Sequence, residues 1–81
     1  MSKIKKELPL GKLKIGDKCV VKRLVSKGHD RRRMLDLGIV TGTKIDVVLR
    51  SFSGSPMAYL IRGALIALRN EDANKIMVKL L

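Results

Sequence analysis

Between residues 44 and 50 the chain alternates almost without a break. Ile45, Val47 and Leu49 fall on one face of an extended segment, Lys44, Asp46 and Arg50 on the other, and only Val48 is out of step. A period of two is what a half-buried strand requires. The alternation returns in Pro56-Met57-Ala58-Tyr59-Leu60-Ile61, and Ser53-Gly54-Ser55 between the two runs reads as the loop of a hairpin. Lys18 to Ser26 is rich in β-branched valine and carries apolar residues on both faces, as a strand inside a closed barrel does. Gly63 breaks the apolar series before Ala64 to Leu68 resumes it, and Ile76 to Leu80 closes the chain with Ile76, Val78 and Leu80 on one face. These runs predict a mainly β fold, a small barrel of about five strands, preceded by an apolar lead-in (Leu8, Leu10, Leu13, Ile15) and a Gly16-Asp17 turn.

Two segments break the period of two. Asn70 is placed to cap a single helical turn, with Glu71 and Asp72 at its positive end. The longer one is Arg31-Arg32-Arg33-Met34-Leu35-Asp36-Leu37-Gly38-Ile39-Val40-Thr41-Gly42-Thr43-Lys44. It is not a phosphate-binding loop: Gly38 and Gly42 are separated by three residues rather than four, Thr43 precedes Lys44, and a strand follows where a helix would be needed. It reads as a corner. Asp30 caps about two helical turns over 31–37, with Met34, Leu35 and Leu37 turned inward. Gly38 supplies the left-handed residue that ends the helix, so that Ile39 packs back on Met34. Val40 to Thr43 then forms a type II turn with Gly42 at the position that demands positive φ. The helix is therefore an insertion between the first two of the five strands.

Length and charge narrow the functional classes. The 81 residues make one domain, 1–81, with room for one small core. No apolar run reaches the ~18 residues that span a bilayer, and no apolar segment of a signal peptide follows Met1, so a cytoplasmic location is expected. The net charge is +11, and residues 1–33 hold twelve Lys and Arg against Glu7, Asp17 and Asp30, a local excess of +9. Such asymmetry calls for an anionic neighbour: nucleic acid, an anionic membrane surface or an acidic protein face. Phe52 and Tyr59 are the only aromatic residues, too few for the stacking platforms of single-strand binders. What charge alone supports is salt-sensitive, sequence-blind binding to duplex. Arg31, Arg32 and Arg33 are the candidate partner-binding residues, as a docking patch or simply as a solvated face. At the start of a helix they oppose its dipole, so local stability did not select them.

Catalytic chemistry is not legible. No acid and base flank a nucleophile, and no cofactor motif or metal-ligand spacing occurs. Cys19 lies in an apolar run and reads as a buried structural thiol. His29, with only Asp30 beside it, reads as an exposed loop histidine.

Arg33-Met34-Leu35-Asp36-Leu37-Gly38-Ile39, Gly42-Thr43, Arg62-Gly63 and Ile66-Ala67-Leu68-Arg69 followed by Ala73 and Ile76 resemble, in order and spacing, the FeoA family. With the lead-in Leu10 to Asp17 the resemblance covers nearly the whole chain. Thr41 stands where that family usually has proline, which loosens the turn but leaves its geometry to Gly42. The resemblance implies an SH3-like β-barrel and a non-enzymatic cytoplasmic accessory of ferrous iron uptake, peripheral to the inner membrane. Its implied partner is the membrane transporter FeoB, which carries a cytoplasmic GTPase domain. No cofactor and no specific nucleic acid are expected, a homo-oligomer is compatible with the sequence, and Gly38, Gly42 and Gly63 are expected to act structurally. A small basic barrel binding nucleic acid without sequence preference is the alternative.

Overall fold

The computed structural model describes residues 6–50 and 56–81, with the side chain of Arg50 outside that set. The expected hairpin loop at Ser53-Gly54-Ser55 lies outside the described residues. The elements are β1 (Leu8–Pro9), a 3-10 turn (Leu10–Lys12), β2 (Lys18–Leu24), α1 (Gly28–Asp36), β3 (Lys44–Arg50), β4 (Met57–Ile61), β5 (Ala64–Leu68), α2 (Asn70–Ala73) and β6 (Ile76–Leu80). The five strands expected from periodicity are β2 to β6, and β1 adds a sixth. All pair antiparallel in one sheet of order β1-β6-β2-β3-β4-β5, so β1 and β5 are its edges.

One face of this sheet supplies Cys19, Val21, Ile45, Val47, Met57, Tyr59, Ile61, Leu68, Ile76 and Val78 to a single buried cluster, joined by Leu10 and Leu13, by Met34 and Ile39, and by Ala73. A lone sheet can bury one face only by curling around it. Two bulges help it do so. The register of β2 against β6 skips Lys22, and that of β3 against β4 skips Val48. An extra residue bends the strand and reverses which side chains face in. That is why Leu49, expected beside Ile45 and Val47, is 54% exposed. Leu80, expected to follow Ile76 and Val78 inward, is partly exposed beyond the cluster's end. The first long strand also stops at Leu24, short of Ser26, where the Val25 N–H turns to the Lys75 carbonyl at 2.7 Å.

The corner at 37–43 forms as the glycines predict. Gly38 has φ 87°, its N–H donates to the Leu35 carbonyl at 2.9 Å, and the Ile39 N–H donates to the Met34 carbonyl at 3.0 Å. These two bonds are the Schellman motif, and the expected contact goes with it: Ile39 and Met34 are both buried in the core cluster. Gly42 has φ 93° and the Thr43 N–H donates to the Val40 carbonyl at 3.0 Å, closing the type II turn. The Thr43 hydroxyl, nearly buried, donates to the Gly38 carbonyl at 3.1 Å and locks turn to helix end.

Helix starts differ from expectation. Asp30 is not the cap of α1: Lys27 holds that position without a side-chain cap bond, and Asp30 lies in the first turn. Its carboxylate faces Lys75 instead, Nζ to Oδ2 3.4 Å. Likewise Arg69, not Asn70, precedes α2, because its extended backbone already turns the carbonyl to accept from the N–H groups of Asp72 and Ala73 at 3.0 and 2.9 Å. Leu35, expected inward, is exposed, while Leu37 is half-buried against the core.

Candidate functional site

The earlier start of α1 changes the electrostatics of the arginine triplet. Asp30 occupies the first turn and complements the positive helix end, whereas Arg33 falls in the last turn, where a cation is favourable. The triplet therefore does not oppose the dipole as its place at a helix start would have required.

Successive helix residues diverge by about 100°, so three arginines in a row cannot share a face. Arg33 turns toward α2 with Asp30 and Leu37, and its guanidinium meets the Asp72 carboxylate at 2.5 Å. With Asp30–Lys75 this makes two ion pairs that clamp α1 to the segment around α2. Arg31 turns the other way, into a groove with Leu35, Leu24, Val40 and Thr41. Arg32 projects outward beside Gly28 and His29. Among the described residues neither Arg31 nor Arg32 has an ion-pair partner. Exposed Leu35 and Val40 beside Arg31 give that groove an apolar floor and a cationic wall. His29 is exposed as expected but sits on the helix rather than in a loop.

A second cationic feature, which the sequence did not single out, sits at the β4–β5 turn. Arg62 and Gly63 both have positive φ, 52° and 83°, as the two central residues of a type I′ hairpin turn require. Gly63 suits its position, whereas Arg62 is the one non-glycine residue in the left-handed region among the described residues. The stem of Arg62 lies across Gly38: a Cβ at Gly38 would come within 2.7 Å of Arg62 Cδ. Beside it are Lys44, Leu60 and the Lys18–Asp46 pair, 3.9 Å apart. In the sequence this place is marked only by Gly63, which breaks the apolar series, and by Arg62-Gly63 within the family resemblance; neither signals a residue pinned over a distant helix end.

Among the described residues two buried polar side-chain atoms have no hydrogen-bond partner, Ser26 Oγ and Tyr59 Oη. Cys19 is fully buried, its thiol donates to the Ile45 carbonyl at 3.6 Å, and burial, then the nearby Asp17 and Asp46 carboxylates, push it up to about 12. A thiol held protonated this way is inert as a nucleophile or metal ligand. No group of three or more His, Cys, Asp or Glu side chains among the described residues converges to hold a metal ion. No helix among them is long and apolar enough to cross a membrane.

Comparison with known proteins gives these features a context. The family model for the FeoA domain matches residues 8–80. The chain is 39% identical over 72 residues to an Fe(2+) transport protein A/Fe(2+) transporter FeoB fusion protein of Porphyromonas gingivalis, covering 89% of this chain and 8% of that protein's length. Among solved structures, a FeoA-like protein of Clostridium acetobutylicum superposes with a TM-score of 0.89 at 33% identity, covering 96% of this chain and 91% of that one. FeoA of Stenotrophomonas maltophilia complexed with zinc, a prokaryotic SH3 domain protein, superposes with a TM-score of 0.79 at 24% identity, covering 88% of each chain. The SH3-like expectation for the fold is thus met.

Proposed function

Since the chain belongs to the FeoA family, we propose that it is a non-enzymatic accessory of ferrous iron uptake that docks on the cytoplasmic region of a FeoB-type transporter. The observation that carries this reading is the fusion relative, in which a segment similar to this chain is joined covalently to a FeoB transporter. Fusion holds two domains at high effective concentration, which is useful when the separate proteins must meet weakly and reversibly.

The docking residues we assign are Arg31 and Arg32, with Leu35 and Val40 as the apolar contact beside them. Both guanidinium groups are exposed and have no ion-pair partner among the described residues. Arg33 belongs to the original triplet but is engaged with Asp72, so reversing its charge would disturb the α1–α2 clamp as well as any partner. A cytoplasmic domain close to the inner leaflet also lies within reach of anionic lipid, which attracts each Lys or Arg near the surface by about 1 kcal/mol. Lipid attraction would concentrate the chain where its partner is. Duplex nucleic acid remains the weaker alternative, supported by net charge alone.

The test is capture of the purified chain by the transporter's cytoplasmic domain and by the intact transporter in anionic vesicles. The variant Arg31→Glu/Arg32→Glu should keep the wild-type unfolding midpoint and lose roughly tenfold or more in affinity, as rim and anchor cations do when reversed. Failure of the wild-type chain to bind either form of the transporter would reject the reading. Normal binding by the double variant would leave the adaptor role standing and remove these arginines from it.

A further inference from the structure

Two features at the β4–β5 turn work against local stability, and both involve Arg62. Its backbone is left-handed, φ 52°, where glycine or asparagine is the ordinary choice. The register that pairs Ile45 with Ile61 also brings Lys44 opposite Arg62 at the next step. Like charges directly across a ladder repel. Neither cation has an ion-pair partner among the described residues to relieve that repulsion. Where two such costs persist together at one spot, the needs of folding did not select them.

Lys44 and Arg62 line one open pocket on the outer face of the sheet, opposite the buried side chains of Ile45 and Ile61. Lys18 and Asp46 form another part of its wall; they stand opposite each other in the β2–β3 register and pair at 3.9 Å. Leu60 and Leu81, both exposed, give the pocket an apolar side. Gly42 and Gly63 complete it, and a Cβ at either would meet nothing within 4 Å. The space beside the two unpaired cations is therefore left open by the chain itself.

Charge and order identify the ligand. Lys18 is offset by Asp46, so the lining side chains leave the charges of Lys44 and Arg62 unmatched. A single carboxylate would neutralise only one of them. A phosphate monoester carries about two negative charges near pH 7 and presents three acceptor oxygens. Two oxygens can take the paired N–H groups of the guanidinium while the Lys44 ammonium acts as a point charge on the third. Arg62 is ordered beforehand, because its stem rests on Gly38. A guanidinium fixed before binding loses little freedom when the anion arrives. Nucleic acid fits less well: each backbone phosphate is a diester with one charge, and no aromatic side chain lines the pocket for a base to stack on.

We propose that this pocket binds the phosphate group of a phosphate monoester, held by Arg62 and Lys44, with the organic part of the ester lying on Leu60 and Leu81. A soluble phosphate ester and a lipid headgroup that ends in a monoester share this chemistry. Arg31 and Arg32 line other pockets, and the site needs no partner protein, so it does not rest on the adaptor reading. A partner carboxylate that reached Arg62 would have to displace the phosphate.

The probe is glycerol 3-phosphate, titrated into the isotope-labelled full chain and followed by amide shifts and the Arg62 Nε–H signal. Saturable shifts centred on Lys44, Arg62 and Gly63 are expected. Affinity should fall roughly tenfold or more in Lys44→Gln and in Arg62→Gly, each of which removes one charged donor. Lys44→Gln changes an exposed side chain and should keep the wild-type unfolding midpoint, so it decides the matter if Arg62→Gly disturbs the fold. Glycerate, which offers a carboxylate in place of the phosphate, should bind at least roughly tenfold more weakly. A second arm uses vesicles containing phosphatidic acid, a monoester, against vesicles containing phosphatidylglycerol, a diester. Stronger retention on phosphatidic acid that both variants abolish assigns a lipid headgroup, and binding of glycerol 3-phosphate without that excess assigns a soluble ester. The proposal is overturned if neither arm shows binding that depends on Lys44 and Arg62, or if the shifts centre on Arg31 and Arg32. It is equally overturned if glycerate binds as tightly as the ester, or if a short duplex without terminal phosphates binds more tightly at the same residues.

Discussion

Gly38 and Gly42 sit four residues apart with nearly the same backbone, φ 87° and 93°, yet their surroundings differ. A Cβ at Gly42 would meet nothing within 4 Å, whereas one at Gly38 would come within 2.7 Å of Arg62 Cδ and 3.3 Å of Arg62 Nε. Gly42→Ala should therefore cost only the left-handed strain, about 1–2 kcal/mol. Gly38→Ala should cost the same strain plus displacement of the Arg62 stem from its rotamer, about 1 kcal/mol more. With a urea slope of about 1 kcal/mol per molar for a chain of this size, the gap between the two variants is roughly 1 M in unfolding midpoint. Gly38→Val should be worse than either, because a β-branched residue in that region is a true outlier. The assay is urea unfolding of Gly38→Ala, Gly42→Ala, Arg62→Ala and the pair Gly38→Ala/Arg62→Ala. If the contact is the cause, the paired variant recovers about 1 kcal/mol relative to additivity. Equal midpoints for the two alanine variants, or strict additivity in the pair, would refute the account of how Arg62 is held.

Two further predictions concern the core. Tyr59→Phe removes a fully buried hydroxyl that has no partner among the described residues, so it should leave stability unchanged or raise it by about 1 kcal/mol, read as an unfolding midpoint at or above wild type; a loss above 1 kcal/mol would mean that the hydroxyl is satisfied. For Cys19 the folded thiol stays protonated to about 12 against an ordinary value of 9.0, so the folded state retains a proton that the unfolded chain releases. The stability this contributes is complete below pH 9 and is lost as pH rises toward 12. The gap in midpoint between wild type and Cys19→Ala should shrink between pH 8 and 10.5, and a pH-independent gap would contradict the burial argument.

Much of the architecture was legible because it is written in local rules. Gly38 and Gly42 announce a helix end and a type II turn from their spacing alone, and the Met34–Ile39 contact follows from the helix-end motif without knowledge of the rest of the chain. The alternation read over Pro56 to Ile61 is present in β4, where Met57, Tyr59 and Ile61 are buried. Three of the misses share a cause: each depends on a partner distant in sequence. Leu49 turns outward because an extra residue at Val48 is absorbed against β4. Asp30 leaves the cap position to face Lys75, forty-five residues away. Arg33 is claimed by Asp72 across thirty-nine. Propensity and period carry no information on such pairings.

The same distinction bears on where a partner should be sought. A run of three arginines is conspicuous in a sequence because the residues are adjacent, but on a helix adjacency disperses them: Arg31 into a groove, Arg32 into solvent, Arg33 into an ion pair. Arg62 is inconspicuous in sequence, yet the turn and Gly38 fix its position, and the register sets it at the end of an uncharged edge strand. An exposed cation free to move gains little from meeting a carboxylate, since ordering the side chain offsets most of the attraction. A cation already ordered by its own fold avoids that cost. On the proposed docking reading, Arg31 and Arg32 would serve long-range attraction and faster encounter, and the ordered Arg62 would serve to hold a partner once it has arrived. In kinetic terms, Arg31→Glu/Arg32→Glu should act mainly on the rate of association and its salt dependence. Arg62→Ala should act mainly on dissociation. Stopped-flow measurements with the transporter's cytoplasmic domain at two ionic strengths would separate the two, and an Arg62→Ala effect confined to the association rate would show that pinning the guanidinium has no bearing on binding.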